Sequence, residues 1–195
     1  MQLQSLRDLF EHEIGDLYSA ETQLVAALPK MAQAASNDEL RNAFNHHLEE
    51  TRDHVRRLEE IRGQIGSTMS DECEGMRGLI KEGEEVIAGS GDPAVKDAAL
   101  ISAAQRVEHY EIAAYGTART LADDLDLGEA KDLLDQTLED ESNADKLLTK
   151  IATGGMLKAG INEEARRGPI ARAGAGMLPP GRLTALWSYL CLCRL

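Results

Sequence analysis

Between residues 64 and 93 the chain reads QIGSTMSDECEGMRGLIKEGEEVIAGSGDP, and this stretch decides the fold. It opens on Gly66 and closes on Gly89-Ser90-Gly91, which are both helix-ending sequences, while apolar spacing in its middle predicts one short helix. Asp92-Pro93 then begins a long helix, because Asp caps a helix N-terminus and Pro is tolerated at the first helical position. The stretch is therefore a connection of about thirty residues between longer elements.

On each side of this connection the sequence predicts a pair of long helices. Apolar residues recur every three or four positions from about residue 3 to 35, and again from 40 to 63. After the connection a third long helix runs from residue 93 to 124 or 125, and a fourth from about 129 to 152. The turns within each pair are short, so the two helices of a pair are expected to be antiparallel.

Two antiparallel pairs joined by one long connection are the chain path of ferritin-like bundles, whereas up-down-up-down bundles have short loops throughout. Aromatic residues make up only 4% of the chain, which suits closely packed helices better than a β-sandwich. The sequence thus predicts an all-α, ferritin-like four-helix bundle over residues 1–165, with one long crossover containing a short extra helix. Residues 166–195 are rich in Gly, Ala and Pro, and disorder, partner docking and an artefact are the three interpretations of this tail.

Charge and cysteine content narrow the class of function. Asp and Glu number 34 against 21 Lys and Arg, and the formal net charge of -13 disfavours nucleic acids and anionic membranes as partners. The chain has no apolar run long enough to predict a membrane span. Cys73, Cys191 and Cys193 fit no disulfide framework, and the first residues show no secretory signal pattern, so we expect a cytoplasmic protein.

Acidic residues stand at positions where the helical pattern requires apolar ones. In the first helix Glu21 fills the core-facing position between Leu17 and Leu24. A bare buried carboxylate is costly, so such a group is expected to be neutralised, paired or bound to metal. The other three long helices also carry inward acids, and the second adds histidines on the same face. The candidate ligands are Glu21, His47, Glu50, His54, Glu108, Glu111, Glu141 and Asp145.

The hairpin turns place these acids at matching heights, with Glu21 level with Glu50 and Glu111 level with Glu141. Any one of them alone is more often a solvated or arginine-paired residue than a ligand. An inward acid on each of four helices favours a centre in which carboxylates bridge two divalent ions and imidazole is a neutral ligand. We expect two iron ions, with manganese or zinc as alternatives, and Glu50 and Glu141 as bridges. The fourth helix has no histidine, so the centre is unusually rich in carboxylates.

Several of these residues fall within recognisable motifs. The motifs are DLYSAETQL (16–24), ALPKM (27–31), HLEET (47–51), GLIKE (78–82), QRVEHYEIA (105–113) and YGT (115–117). Together they resemble the YciE/YciF family of bacterial ferritin-like proteins over about residues 3–165. The resemblance implies a homodimer with a dinuclear metal centre and an association with stress responses. It further implies that Glu21, Glu50, Glu108, Glu111 and Glu141 are the principal ligands, ahead of His47 and His54.

Three functions are compatible with these features. The first is a redox-active dimetal protein that consumes a small oxidant, peroxide or oxygen, with Tyr18 or Tyr110 beside its ligands. The second is a protein that binds or sequesters metal without turnover. The third is a structural dimer whose inward acids are paired with Arg52 or Arg106.

Overall fold

The computed structural model describes residues 3–67, 72–155 and 158–174, with residues 169–174 described by their backbone alone. Within these ranges the chain forms six helices and one short hairpin. They are α1 (Leu6–Ala34), α2 (Asp38–Ile65), α3 (Glu74–Ala88), α4 (Pro93–Asp124), α5 (Gly128–Thr153), β1 (Gly154–Gly155), β2 (Lys158–Ala159) and α6 (Ile161–Gly174). The all-α prediction is confirmed, and α3 is the short helix expected in the crossover.

Helices α2 and α4 begin where a local side chain completes the backbone hydrogen bonding. The Asn37 side chain accepts from two N–H groups in the first turn of α2, and the Asp92 side chain does the same for α4. Gly66 ends α2 in the left-handed conformation, with φ of 68°. Helix α2 therefore continues two residues beyond the predicted end at Gly63.

The four long helices pack as two antiparallel hairpins, α1 with α2 and α4 with α5. Contacts of α1 with α4 and of α2 with α5 join the hairpins, while α3 lies against α1 and α4. A buried carboxylate fixes one end of this arrangement. Asp97 of α4 accepts hydrogen bonds from the backbone N–H groups of Ser36 and Asn37, both at 2.8 Å, and from the Ser36 hydroxyl at 2.6 Å. It thereby ties the turn between α1 and α2 to α4.

The core of the bundle consists of two apolar clusters. One is built around residues such as Phe10, Ile14, Leu58 and Leu134, and the other around Leu24, Phe44, Leu100 and Leu148. Each long helix contributes to both clusters and carries buried polar residues between its two contributions. A polar layer thus crosses the middle of the bundle.

The chain after α5 was not predicted in detail. Gly154 has a φ of 77°, and a Cβ built there would lie 2.3 Å from the Gly160 nitrogen, so only glycine fits this turn. Helix α6 then packs against α4 and α5, with a break at Gly168. Residues 166–174 of the predicted tail therefore continue a helix, and residues 175–195 lie outside the described part of the chain. None of the described helices is both long enough and apolar enough to cross a bilayer.

Candidate metal centre

The polar layer brings buried acids and histidines together from all four long helices. Its members are Glu21 of α1, His47, Thr51 and His54 of α2, Glu108 and Glu111 of α4, and Thr137 and Glu141 of α5. The spacing of three or four residues within α2 and within α4 places successive members on the same face of their helix. The predicted inward orientation of Glu21, Glu108, Glu111 and Glu141 is confirmed, since each side chain is buried.

Within the described residues, the ligand atoms of this layer form two adjoining groups. His47, Glu108, Glu111 and Glu141 each offer one atom within 4.8 Å of the others, and so do Glu21, His54 and Glu141. Glu141 belongs to both groups. A carboxylate shared in this way is suited to bridge two cations held side by side.

The first group is spaced as ligands around one ion are. His47 Nε2 lies 3.6 Å from Glu108 Oε2 and 3.5 Å from Glu141 Oε2. These separations are long for hydrogen bonds. Two ligands that each lie about 2.1 Å from one ion are roughly 3.0 to 3.4 Å apart in octahedral or tetrahedral geometry, so the two separations from His47 are only slightly wider than a shared cation requires.

The second group is similarly spaced around His54. Its Nδ1 lies 3.0 Å from Glu141 Oε1 and 3.3 Å from Glu21 Oε1, but neither contact has the geometry of a hydrogen bond. The nitrogen therefore faces two carboxylate oxygens without making a directed bond to either. A cation between the three atoms would satisfy all of them.

The outer nitrogen of each histidine faces a further carboxylate. His47 Nδ1 lies 3.2 Å from Glu50 Oε2, and His54 Nε2 lies 3.4 Å from Asp140 Oδ2. Arg57 holds Asp140 in place with a 2.7 Å hydrogen bond. Metal-ligating histidines commonly have such a carboxylate partner, which fixes the ring orientation and tautomer.

Two of the predicted ligands lie outside the converging groups. Glu50 is partly exposed and contacts His47 on the side that faces away from the other ligand atoms. This position suits a residue that orients the imidazole ring, not one that binds the ion itself. Asp145 accepts a 2.9 Å hydrogen bond from Gln105 and lies 3.4 Å from His109. The structure therefore brings together six of the eight candidates, with both histidines among them.

Several oxygens of the buried carboxylates make no hydrogen bond within the described part of the chain, although some lie within ion-pair distance of a histidine. Both oxygens of Glu111 and of Glu141 have no hydrogen-bond partner among the described residues, nor do one oxygen of Glu21 and one of Glu108. Leaving such a group unsatisfied costs on the order of 1–3 kcal/mol, and more when it is charged. This donor set fits divalent cations.

Arg52 and Arg106 do not neutralise these acids. Arg52 is paired with Glu49, and Arg106 lies 3.8 Å from Glu82, with all four side chains largely exposed. The hypothesis that these arginines pair with the inward acids is therefore wrong.

Burial sets the protonation of the carboxyl groups. It raises the pKa of Glu21, and it raises the pKa values of Glu108 and Glu111 well above the usual range for Glu. Burial acts on Glu141 in the same direction, but the charges of His47 and His54 outweigh it and lower the pKa of that carboxyl. Glu141 is thus the acid most readily ionised.

The histidines respond in the opposite sense to burial. Desolvation alone would lower the pKa of His47, but Glu108 and Glu141 raise it to about 10. Desolvation would likewise lower the pKa of His54, but Glu141 and Glu21 raise it to about 11. The metal-free layer therefore binds protons at positions where cations could replace them.

One tyrosine that was not predicted as a site residue contacts this layer. Tyr115 is fully buried and donates a 2.5 Å hydrogen bond to Glu21 Oε1. The predicted tyrosines lie elsewhere, since Tyr18 bonds to Glu59 and Tyr110 bonds to Asp16. The sequence signal was present, because Tyr115 follows Glu111 by four residues and so shares its face of α4.

Comparisons with known proteins identify relatives over most of the chain. A family model described as a domain of unknown function, DUF892, matches residues 5–165. Protein YciF of Escherichia coli strain K12 is 44% identical over 165 residues, which cover 84% of this chain and 99% of YciF. The resemblance to the YciE/YciF family is confirmed.

Two solved structures have the same fold. The crystal structure of the E. coli stress protein YciF matches with a TM-score of 0.74 and 45% identity, over 76% of this chain and 94% of YciF. The structure of YcfI from Rhodopseudomonas palustris matches with a TM-score of 0.75 and 38% identity, over 77% of this chain and 97% of YcfI. The similarity therefore extends over nearly the full length of both relatives.

Proposed function

This chain belongs to the DUF892 family of YciF-like proteins, and from that premise we propose that it is a ferritin-like metalloprotein with a dinuclear iron centre that reduces oxygen or peroxide. The name of the E. coli relative, a stress protein, supports a protective role. We further propose that the protein is cytoplasmic and works as a homodimer, without nucleic-acid or membrane partners.

The observation that carries the proposal is the convergence of buried carboxylate oxygens without hydrogen-bond partners. Glu111 shows it most clearly, because both of its oxygens are in this state at a fully buried position. A protein that needed these residues only for packing would be more stable with apolar side chains of similar size. Their joint presence on four helices is explained if they bind cations.

We propose a role for each of the six residues whose ligand atoms converge. His47, Glu108 and Glu111 would hold one ion, Glu21 and His54 would hold the other, and Glu141 would bridge them. When bound, two ferrous ions supply the two electrons that, with two protons, reduce oxygen to peroxide or peroxide to two waters. Manganese and zinc fit the same donor set.

The surrounding residues prepare the site for this chemistry. The two apolar clusters on either side of the layer exclude water, which strengthens the electrostatic interactions inside it. Glu50 and Asp140 hold the two imidazole rings, and Tyr115 holds Glu21 through its hydroxyl proton. These contacts keep the inner nitrogens and oxygens directed at the space between the helices.

Metal content tests the centre. Protein purified without chelator and loaded anaerobically with ferrous iron should contain two ions per chain by elemental analysis, with two anomalous peaks within the polar layer. Glu141→Gln removes the shared carboxylate, so it should reduce the content to one ion or fewer. Asp145→Asn is the matched control and should retain two. A wild-type protein that binds less than one ion per chain would contradict the proposal.

The iron-loaded protein is then mixed with oxygen or with peroxide, one at a time, and the rate of iron oxidation is measured. This rate distinguishes a redox protein from a metal-binding protein without turnover. The proposal expects oxygen or peroxide to oxidise the bound iron at least tenfold faster than iron in the same buffer. Full loading without this acceleration would favour sequestration. Native mass tests assembly, and a dimer would exclude a ferritin-type storage shell.

A further inference from the structure

An apolar cavity leads from the protein surface to one side of the polar layer. Residues of α1, α3 and α4, together with His47 of α2, line it, and its volume is about 40 Å³. Its walls include Leu28, Met31, Ile80, Gly83, Ala104 and Val107. His47 and Glu108, two of the candidate ligands, also line it.

The two ends of the cavity differ in solvent exposure. Lys30 of α1 and Glu84 of α3 line the outer end and form a 2.8 Å ion pair, with side chains 58% and 50% exposed. His47 and Glu108 are 6% and 3% exposed and belong to the first ligand group. The cavity therefore connects solvent with that group through a lining that is mainly aliphatic.

The size and lining of the cavity restrict what it can hold. A cavity of this size has room for roughly three molecules as small as water, since each needs about 10–15 Å³. Apolar cavities tend to remain dry and to bind apolar guests such as xenon. Peroxide would lose its hydrogen bonds with water along the aliphatic walls, whereas oxygen has none to lose.

We propose that this cavity is the access route and holding site for dioxygen, which it delivers to the side of the centre formed by His47 and Glu108. This role for the cavity rests on the proposed function, since oxygen is useful only to a redox-active centre. It also refines that function, because it names oxygen rather than peroxide as the oxidant that enters here. The binding of a small apolar gas is a property of the cavity alone and is independent of metal.

Gly83 provides the means to close the route. A Cβ at this position would lie 3.8 Å from Met31 Sδ, an ordinary contact, so a side chain can be added without displacing the backbone. Gly83→Leu should fill the space between α3 and α1. Gly78→Leu adds the same side chain to the same helix at a position with no atom within 4 Å and is the matched control.

The first measurement is xenon binding in pressurised crystals of metal-free protein. Wild type and Gly78→Leu should show a xenon atom in the cavity, and Gly83→Leu should show none. The second measurement is the oxidation of bound iron. Gly83→Leu should react with oxygen at least tenfold more slowly than wild type, while its reaction with peroxide changes less than twofold.

Ala27→Leu closes the cavity from α1 and leaves the sequence of α3 unchanged, so it separates the filling of the cavity from a displacement of α3. It should reproduce both effects of Gly83→Leu. Absence of xenon from the wild-type cavity would overturn the inference. So would a variant that loads two ions, excludes xenon and still reacts with oxygen at the wild-type rate. If wild-type protein binds no iron, the proposed function fails, and the xenon measurement still decides whether the cavity takes an apolar gas.

Discussion

Both carboxylate oxygens of Glu111 are buried without a hydrogen-bond partner among the described residues. Burial raises the pKa of this carboxyl well above its usual range, which means that folding without metal disfavours its ionised form. The sequence identified Glu111 as inward-facing because it lies within an apolar arc of its helix. It could not show that both oxygens would be left without partners, since that depends on side chains from other helices.

We expect Glu111→Leu to stabilise the metal-free protein by about 1–3 kcal/mol, because it replaces an uncompensated buried acid by an apolar side chain. The same change should remove at least one of the two metal ions. Urea unfolding in the presence of chelator measures the first effect, and elemental analysis measures the second. Glu49→Leu, at an exposed position of α2, should alter stability by no more than about 0.5 kcal/mol. Equal destabilisation by both changes would contradict the assignment.

Tyr115 donates a hydrogen bond to Glu21 and thereby orients one of the candidate ligands. We expect Tyr115→Phe to weaken metal binding by about 10- to 100-fold, because Glu21 loses the hydrogen bond that orients it. Titration with a redox-inert divalent ion, such as zinc, measures the change in affinity. Tyr110→Phe is the control, because the Tyr110 hydroxyl bonds to Asp16 instead. Unchanged affinity in Tyr115→Phe would show that Glu21 needs no such support.

At the scale of elements, the helices follow local sequence rules closely. The cap at Asp92 is formed by the residue that the sequence indicated, and α3 lies in the predicted crossover. The hairpin after α5 and helix α6 were missed because Gly154 and Gly155 indicate only that the fourth long helix ends. Helix α6 packs against α4 and α5, and a single stretch of sequence does not reveal such contacts between distant elements.

Asp97 joins elements that are distant in sequence, so its loss should weaken the whole bundle. We expect Asp97→Ala to destabilise the protein by about 3 kcal/mol, because it leaves three donors of Ser36 and Asn37 without their acceptor. Chemical denaturation measures this effect. Asp124→Ala, an exposed change at the end of the same helix, should cost about 0.5 kcal/mol or less. A similar cost for both would indicate that the turn does not depend on Asp97.

At the scale of the whole molecule, the polar layer would couple the binding of a cation to the loss of protons. The raised pKa values of Glu108 and Glu111, and that of about 10 for His47, mean that the metal-free protein holds protons that a bound cation must displace. More protons are bound without metal than with it, so affinity should rise with pH. Each proton released contributes about a tenfold gain per pH unit.

We therefore expect zinc affinity to rise at least tenfold between pH 6 and pH 7. Calorimetry at the same pH in two buffers with different ionisation enthalpies counts the protons released. Glu108→Gln removes one titrating group and should reduce that count. Affinity that is independent of pH across this interval would show that the site is already deprotonated before metal arrives.

Local sequence was sufficient to predict the four long helices, the short helix α3, the cap at Asp92, the single long crossover and the inward acids on four helices. These features depend on spacing within one helix or on capping side chains beside it, so they can be inferred locally. Only the tertiary structure decided that Glu141 is shared by two ligand groups, that Glu50 supports His47 from outside, and that Tyr115 contacts Glu21. The apolar cavity beside His47 and Glu108 is likewise formed by several helices. Each depends on how helices far apart in sequence rotate and approach one another, and apolar periodicity fixes a helix face without fixing the position of individual atoms.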